Sequence, residues 1–141
     1  MKATPEQIAL GRSLFDAFAA DDLESWHSKL ANDFTFGYPG LRNGSGAAAA
    51  REFNAPFSAA FSDWSTVVHS AAVDGDTILM RLTVSFTHSK ALALPGGTLE
   101  ASGARCDVDV AMVVKMRDGK ILREETLWNV AELVDQIKAA H

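Results

Sequence analysis

Three side chains in this sequence could move a proton or hold a ligand oxygen. His88 closes a run of alternating residues and titrates near neutral pH, so it could act as a general acid or base. Tyr38 closes a shorter alternating run and could donate a hydrogen bond to a ligand oxygen. Glu124 would have a raised pKa if its strand placed it in an apolar cavity. We therefore predict His88, Tyr38 and Glu124 as the catalytic candidates.

Each of these candidates also has a purely structural interpretation. A histidine at a strand end is commonly a hydrogen-bonded wall residue, and a tyrosine ahead of a turn is commonly a half-buried anchor. Glu124 stands between Arg123 and Glu125, a pattern typical of a charged pair on an exposed strand, and this interpretation is slightly favoured. Either Glu124 and Thr126, or Glu125 and Asn129, face inward along this strand.

A second set of residues could line a binding site without taking part in chemistry. Alternation along the predicted strands directs several side chains inward, and large aromatic rings among them could stack on a flat ligand. For the two tryptophans, burial in the core is the default expectation. The predicted substrate-binding residues are Trp26, Phe86, Met112, Thr126 and Trp128.

Other residues with chemical potential are assigned no role. His27 and His69 are expected to point outward or to the side. Asp107 and Asp109 share the polar side of their strand and are expected to face solvent or a second subunit. Cys106 is expected inside as a small hydrophobe. Because the four histidines show no metal-ligand spacing, we predict no metal site and no cofactor.

The first third of the sequence predicts helices. A helix begins at Thr4, where Gln7 completes a capping box, and Asp21-Asp22 separates it from a short helix that reaches Leu30. A short strand then ends at Pro39-Gly40. The third helix lies in AAAAREFNAPFSAAF, and Pro56 is expected to bend or break it.

The rest of the sequence alternates with a period of two, which is typical of strands. Turn signals separate the runs, and a longer loop surrounds Pro95. This order predicts a single α+β domain over residues 1–141, with helices packed on one face of a curved sheet. The predicted strands are Trp64 to Val73, Thr77 to His88, Ala104 to Met116 and Ile121 to Trp128, and a last helix spans Val130 to Ala140.

Composition narrows the class of partner. The net charge of -5 argues against nucleic-acid binding, since carboxylates outnumber cations. With 48% hydrophobic residues but no apolar run of membrane-spanning length, the chain is expected to fold without a membrane. A single cysteine cannot form an internal disulfide, so a cytoplasmic location is expected. A small hydrophobic molecule remains the expected partner.

Several ordered motifs carry a family resemblance. AADDLESWHSKLANDFTF, FSDW, FTHS, MRDGKI and LWNVAELVDQI follow one another as in the nuclear transport factor two-like superfamily. They resemble in particular its SnoaL-like polyketide cyclase branch. The resemblance implies a cone-shaped fold, in which a curved antiparallel or mixed sheet and the N-terminal helices on its concave face enclose an apolar pocket. It also implies a homodimer formed through the outer sheet face.

The same resemblance argues against ketosteroid isomerisation by its usual mechanism. Tyr38, Leu14 and Met112 occupy the places of that family's carboxylate base, donor tyrosine and donor acid, and Thr126 replaces the acidic residue of the cyclases. Two functions stay open. The first is a cofactor-independent cyclase, isomerase or lyase acting on a small apolar carbonyl or polyketide-like compound. The second is a non-catalytic domain that binds a hydrophobic ligand.

Overall fold

The computed structural model describes residues 1–38, 42–94 and 96–140. The turn predicted at Pro39-Gly40, and Pro95 in the predicted loop, lie outside these ranges. Five helices and eight strands are described within them. The helices are α1 (Pro5–Gly11), α2 (Ser13–Ala19), α3 (Leu23–His27), α4 (Ala47–Ala60) and α5 (Val130–Ala139); the strands are β1 (Leu30–Tyr38), β2 (Arg42–Ser45), β3 (Phe61–Asp74), β4 (Thr77–His88), β5 (Leu92–Leu94), β6 (Gly97–Leu99), β7 (Arg105–Arg117) and β8 (Lys120–Leu127).

Six of the strands form one mixed sheet in the order β2-β1-β8-β7-β4-β3. Only the β1–β8 pairing is parallel, whereas the other pairs in the sheet are antiparallel. β5 and β6 form a separate hairpin inside the segment that the sequence predicts as a loop. The predicted α+β class, with N-terminal helices against a curved mixed sheet, is therefore confirmed.

The inner face of the sheet is apolar because its central strands β4 and β7 alternate strictly. Along β4 and β7, every second residue from Ile78 to His88 and from Cys106 to Val114 is buried. Asp107 and Asp109 lie on the exposed face of β7, as predicted. Residues of the helices cover the inner face, and this packing forms the core.

The prediction of a single first helix is wrong, because the structure has two helices, α1 and α2, in this segment. The capping box of Thr4 with Gln7 starts α1 as predicted, but the backbone leaves helical geometry at Arg12. Gly11 is buried so close to Met80 that a Cβ atom there would lie 2.3 Å from the Met80 sulfur. The break allows both short helices to follow the curved sheet. The predicted second helix also ends earlier, at His27, and Leu30 already belongs to β1.

Pro56 neither ends nor breaks the helix predicted around it, which is α4 and runs from Ala47 to Ala60. Proline removes only the backbone bond to the carbonyl of Glu52, and the phenylalanines of this helix pack on their neighbours along its length. Phe53 and Phe57 lie 5.6 Å apart, and Phe57 and Phe61 lie 6.3 Å apart, between ring centroids. Tertiary packing therefore outweighs the local cost of the proline.

The C-terminal helix α5 covers the part of the β7 edge that has no neighbouring strand. β8 ends at Leu127 opposite Ala111, so the first half of β7 has no strand on that side. There the Gln136 side chain accepts from the backbone N–H of Asp107 (2.8 Å) and donates to its carbonyl (2.9 Å).

Within the described ranges, no helix is long and apolar enough to cross a membrane.

Candidate functional site

A cavity lies between the inner face of the sheet and helices α2, α4 and α5. Nine of the sixteen described residues that line it are aromatic, and none of the sixteen is charged. Such a surface favours an apolar ligand with few hydrogen-bonding groups. The lining residues are Leu14, Phe15, Phe18, Tyr38, Phe53, Asn54, Phe57, Phe61, Trp64, Val84, Phe86, Val108, Val110, Thr126, Trp128 and Leu133.

The cavity is small. Its envelope is about 510 Å³ including the part open to solvent, but only about 60 Å³ of it admits the centre of a water molecule. Aromatic rings line this narrow space closely: Phe18 stacks on Trp64 at 4.5 Å, and Phe57 meets Trp128 edge-on at 6.0 Å. A large ligand would have to displace some of these rings.

The polar groups of the cavity gather on one wall. Tyr38 ends β1, Thr126 lies near the end of the neighbouring β8, and Asn54 reaches them from α4. The Asn54 amide is oriented by a 3.0 Å hydrogen bond from its nitrogen to the carbonyl of Ala50. Burial raises the pKa of Tyr38, whereas Asn54 and Thr126 act to lower it, so these two side chains lie near its hydroxyl.

Glu124 lies behind this wall and is not among the described residues that line the cavity. It pairs with Phe36 on β1 and Val114 on β7, and its exposed fraction is 0%. The interpretation as an exposed charged pair is therefore wrong, and it is Glu125 that pairs with Arg123, at 3.0 Å. Strand alternation explains the difference, because Glu124 and Thr126 share the inward face of β8. The sequence left this register open, and the structure selects Glu124 with Thr126.

Burial sets the protonation states of Tyr38 on this wall and of Glu124 behind it. Desolvation raises the pKa of Glu124 to about 8, which the indole of Trp26 partly offsets, so the carboxyl is mainly neutral at pH 7. Burial raises the pKa of Tyr38 well above its usual value, and the nearby Glu124 raises it further. Both side chains are therefore proton donors near neutral pH.

These donors have no hydrogen-bond partner of normal geometry in the described chain. Both oxygens of Glu124 and the hydroxyls of Tyr38 and Thr126 are buried without a hydrogen bond of normal geometry. Buried polar groups without partners are rare and costly, at about 1–3 kcal/mol each. Where several occur side by side at a cavity wall, a ligand oxygen is the partner that such a wall would accept.

His88 does not join this wall. It is fully buried at the end of β4, and its Nδ1 lies 2.8 Å from the hydroxyl of Ser102. The described residues that line the cavity do not include it; Phe61, whose ring centroid is 5.5 Å away, lies in the lining instead. The inward direction predicted for His88 is correct, but the predicted grouping with Tyr38 and Glu124 is not what the structure shows.

We expect the His88→Ala variant to lose stability but not cavity function. Removing the imidazole leaves the Ser102 hydroxyl without this contact and opens a space in the core, for a cost of about 2–3 kcal/mol. Urea denaturation would measure the loss. Binding of a cavity ligand, measured on the folded variant, should change less than about threefold. A much larger change in the dissociation constant would show that His88 belongs to the binding site.

The predicted substrate-binding residues divide into two groups. Phe86, Thr126 and Trp128 line the cavity. Trp26 and Met112 are buried and lie outside the described lining. Met112 on β7 is the cross-strand neighbour of Thr126, and the ring of Trp26 meets Phe34 edge-on at 5.8 Å. For Trp26, the default expectation of a core residue describes its position.

Two features of the site region escaped the sequence analysis. Asn54 gave no signal, because a single polar residue inside a helix does not reveal which face it occupies. His27 was expected to point outward or to the side, but it is buried, since α3 turns it against Arg51 and Glu24. Its burial, together with Arg51, lowers its pKa. In the described part of the chain, no group of three acidic, histidine or cysteine residues could hold a metal ion.

The comparisons with known proteins agree with this architecture. The SnoaL-like domain family matches residues 12–124, and the chain belongs to this family. This places it in the nuclear transport factor two-like superfamily, as the sequence motifs predict. No curated protein matches the chain in sequence.

Solved structures with the same fold cover nearly the whole chain. A candidate SnoaL-like polyketide cyclase from Jannaschia sp. CCS1 is 18% identical, with a TM-score of 0.80 over 99% of this chain and 98% of that one. AclR, a candidate hydroxylase from Streptomyces galilaeus, is 20% identical, with a TM-score of 0.79 over 97% and 83%. TsrD from Streptomyces laurentii is 19% identical, with a TM-score of 0.76 over 99% of both chains. At these identities the likeness establishes the fold alone.

Proposed function

We propose that this chain binds a compact, largely apolar carbonyl compound in its cavity and transforms it by acid/base chemistry, without a cofactor. The observation that carries the proposal is the buried, mainly neutral carboxyl of Glu124 behind Tyr38 and Thr126. A carboxyl with a pKa near the working pH can both give and take a proton. Reactions of this class include isomerisation, cyclisation and elimination.

Tyr38 is the second active group in this proposal. Its hydroxyl makes no hydrogen bond of normal geometry within the described chain, so its O–H can donate to the oxygen of a ligand carbonyl. Negative charge that develops on that oxygen would be stabilised by the hydroxyl of Tyr38, to which Glu124, behind the cavity wall, would pass its proton. Phe86, Thr126 and Trp128 would hold the apolar part of the ligand. His88, the first candidate from the sequence, takes no part.

The lining also selects the class of ligand. Since none of the described lining residues is charged, the cavity offers no cation for a carboxylate or phosphate. The small open volume favours a compact compound over a large polycyclic one. A polyketide-like fragment with one or two rings and a single carbonyl group fits both restrictions.

The experiment compares Glu124→Gln with Glu125→Gln. Small cyclic ketones and other carbonyl compounds are screened by thermal shift, and the best ligands are tested for turnover by NMR. Removing the carboxyl of Glu124 should lower kcat by about 100-fold or more, because general acid/base catalysis contributes about 10² to 10⁴. Glu125→Gln alters only a surface ion pair and should leave kcat unchanged. Equal rates in the two variants would refute the assignment.

A non-catalytic binding protein is the second candidate, and the narrowness of the cavity favours it. With about 60 Å³ open to the centres of water molecules, the site has little room for a substrate that changes shape. In that case a ligand would bind to the wild type and to both variants, and none of the three would convert it. The same screen therefore separates the two functions.

We also propose that the chain forms a homodimer through the outer face of its sheet. Three large apolar residues, Val67, Leu79 and Leu127, are exposed, by 57%, 43% and 41%. Strand pairing places Leu79 beside Val113, and Leu127 beside Ala111. A two-fold axis through this region would bury the same patch on both copies.

A further inference from the structure

Four aromatic residues of the cavity are only half-buried, and they mark where the cavity approaches solvent. Phe53 and Phe57 lie on α4, Trp64 lies near the start of β3, and Trp128 directly follows the last residue of β8. The other described residues of the lining are buried. A ligand that reaches the cavity through the described lining therefore has to pass at least one of these four rings.

The space between the rings is too narrow for a ring-shaped ligand. About 60 Å³ of it admits the centre of a water molecule, whereas an apolar cavity of about 150 Å³ holds one benzene molecule. Even a ligand with a single ring therefore needs a side chain of the lining to move. The side chain that moves determines the largest ligand that the cavity accepts.

Two of the four rings are held by several neighbours. Trp64 stacks on Phe18 at 4.5 Å between ring centroids, and its indole N–H donates to the carbonyl of Phe61 at 3.3 Å. Phe53 stacks on Tyr38 at 4.3 Å, and its backbone belongs to α4. Moving either ring would break a stacked pair inside the core, which is unfavourable.

Trp128 has the least support of the four rings. Phe57 lies between Phe53 at 5.6 Å and Phe61 at 6.3 Å, whereas the ring contact of Trp128 in the described chain is the edge-on one with Phe57 at 6.0 Å. Trp128 belongs neither to β8 nor to α5, and the next residue, Asn129, holds the start of α5 as its N-cap. The indole can therefore turn about its own side-chain bonds while the helix stays in place.

We propose that Trp128 is the movable wall of the cavity and sets the size of the ligand. Its ring turns toward solvent when a ligand enters and stays against the outer edge of that ligand. The vacated space lies beside Phe57, between α4 and the start of α5. Because an indole consists of two fused rings, this space admits one or two rings but not a larger polycyclic compound. The inference rests on the proposed binding of a compact apolar compound and identifies the residue that limits its size.

The first test removes the wall. Tetralin, which has two fused rings and no carbonyl group, is the probe, and isothermal titration calorimetry measures its dissociation constant. That constant should be at least about tenfold lower in Trp128→Ala than in the wild type, because a protein that must first populate an open state of about 0.1–10% loses affinity in that proportion. Val130→Ala truncates a half-buried residue of the same segment outside the described lining and should bind tetralin like the wild type.

The second test follows the movement in the wild-type chain. 5-Fluorotryptophan labels the three tryptophans, and the variants Trp64→Phe and Trp128→Phe assign two of the three ¹⁹F resonances. When tetralin is bound, a soluble nitroxide should broaden the Trp128 resonance more strongly than in the free protein. The broadening of the Trp64 resonance, from a ring that lines the same cavity, should not change.

The outcomes separate this inference from the function on which it rests. Equal dissociation constants in the wild type and in Trp128→Ala shown to be folded by circular dichroism, or no binding to either, would overturn the movable wall. Stronger broadening at Trp64 instead of Trp128 would overturn it as well. 1-Tetralone, the matching ketone, tests the carbonyl chemistry: if it binds no more tightly than tetralin and is not converted, the proposed function fails and the movable wall remains.

Discussion

The free energy of unfolding of the wild-type chain will fall as the pH rises from about 5 to about 8, and the Glu124→Gln variant will not show this fall. The folded state holds the Glu124 proton up to a pKa of about 8, whereas the unfolded chain releases it near the ordinary glutamate pKa of 4.5. Between these values the native state binds more protons, so a higher pH favours unfolding. The full difference corresponds to about 5 kcal/mol.

Urea denaturation at steps across this pH range is the measurement. The wild type and Glu124→Gln should have similar stability near the low end, where both side chains are neutral. Above a pH of about 8 the variant should be the more stable by as much as roughly 5 kcal/mol, an unusual direction for a substitution in a core. Glu125→Gln, at an exposed ion pair, should follow the wild-type curve. Parallel curves for wild type and Glu124→Gln would show that the carboxyl is not buried as described.

A single negative charge on the outer sheet face will separate the proposed dimer. In Leu79→Asp, the two-fold axis would bury two like charges in an apolar region, and the dissociation constant should rise by about 1000-fold, near 4 kcal/mol. Within one chain the change is mild, because Leu79 is 43% exposed. Analytical ultracentrifugation over a dilution series measures the shift.

Two further variants make the dimer result specific. Val67→Asp changes another exposed apolar residue of the same face and should have the same direction of effect. Ala48→Asp adds an identical charge at the exposed start of α4, where it should be harmless or slightly favourable for the helix. Circular dichroism confirms that each variant is folded. A wild type that is monomeric at high concentration, or a Leu79→Asp variant that still dimerises, would exclude this interface.

Strand alternation was the most reliable signal in the sequence. It predicted the inward rows of β4 and β7, and it also placed Glu124 and Thr126 on one face. The charge pattern around Glu124 pointed the other way, because adjacent charged residues normally mark a surface. Strand alternation was the correct guide at Glu124, and the inference from its charged neighbours failed there, because the strand buries this carboxyl between two exposed or half-exposed charged residues.

Features that depend on distant packing could not be predicted. The break between α1 and α2 follows from the approach of Gly11 to Met80, which are far apart in the sequence. β2 was missed because its four residues show no alternation, and His88 was placed in the site because parity fixes the face of a strand but not the distance to a cavity. Asn54 required the rotation of α4 to be known.

The amide of Gln136 has a consequence for the behaviour of the chain in concentrated solution. By bonding to both backbone groups of Asp107, it takes the place that an additional strand would occupy. An uncovered stretch of sheet edge is a template onto which another chain can add, and this addition starts ordered aggregation. Helix α5, which holds Gln136 there, therefore protects the protein from self-assembly at this edge as well as closing the cavity through Leu133.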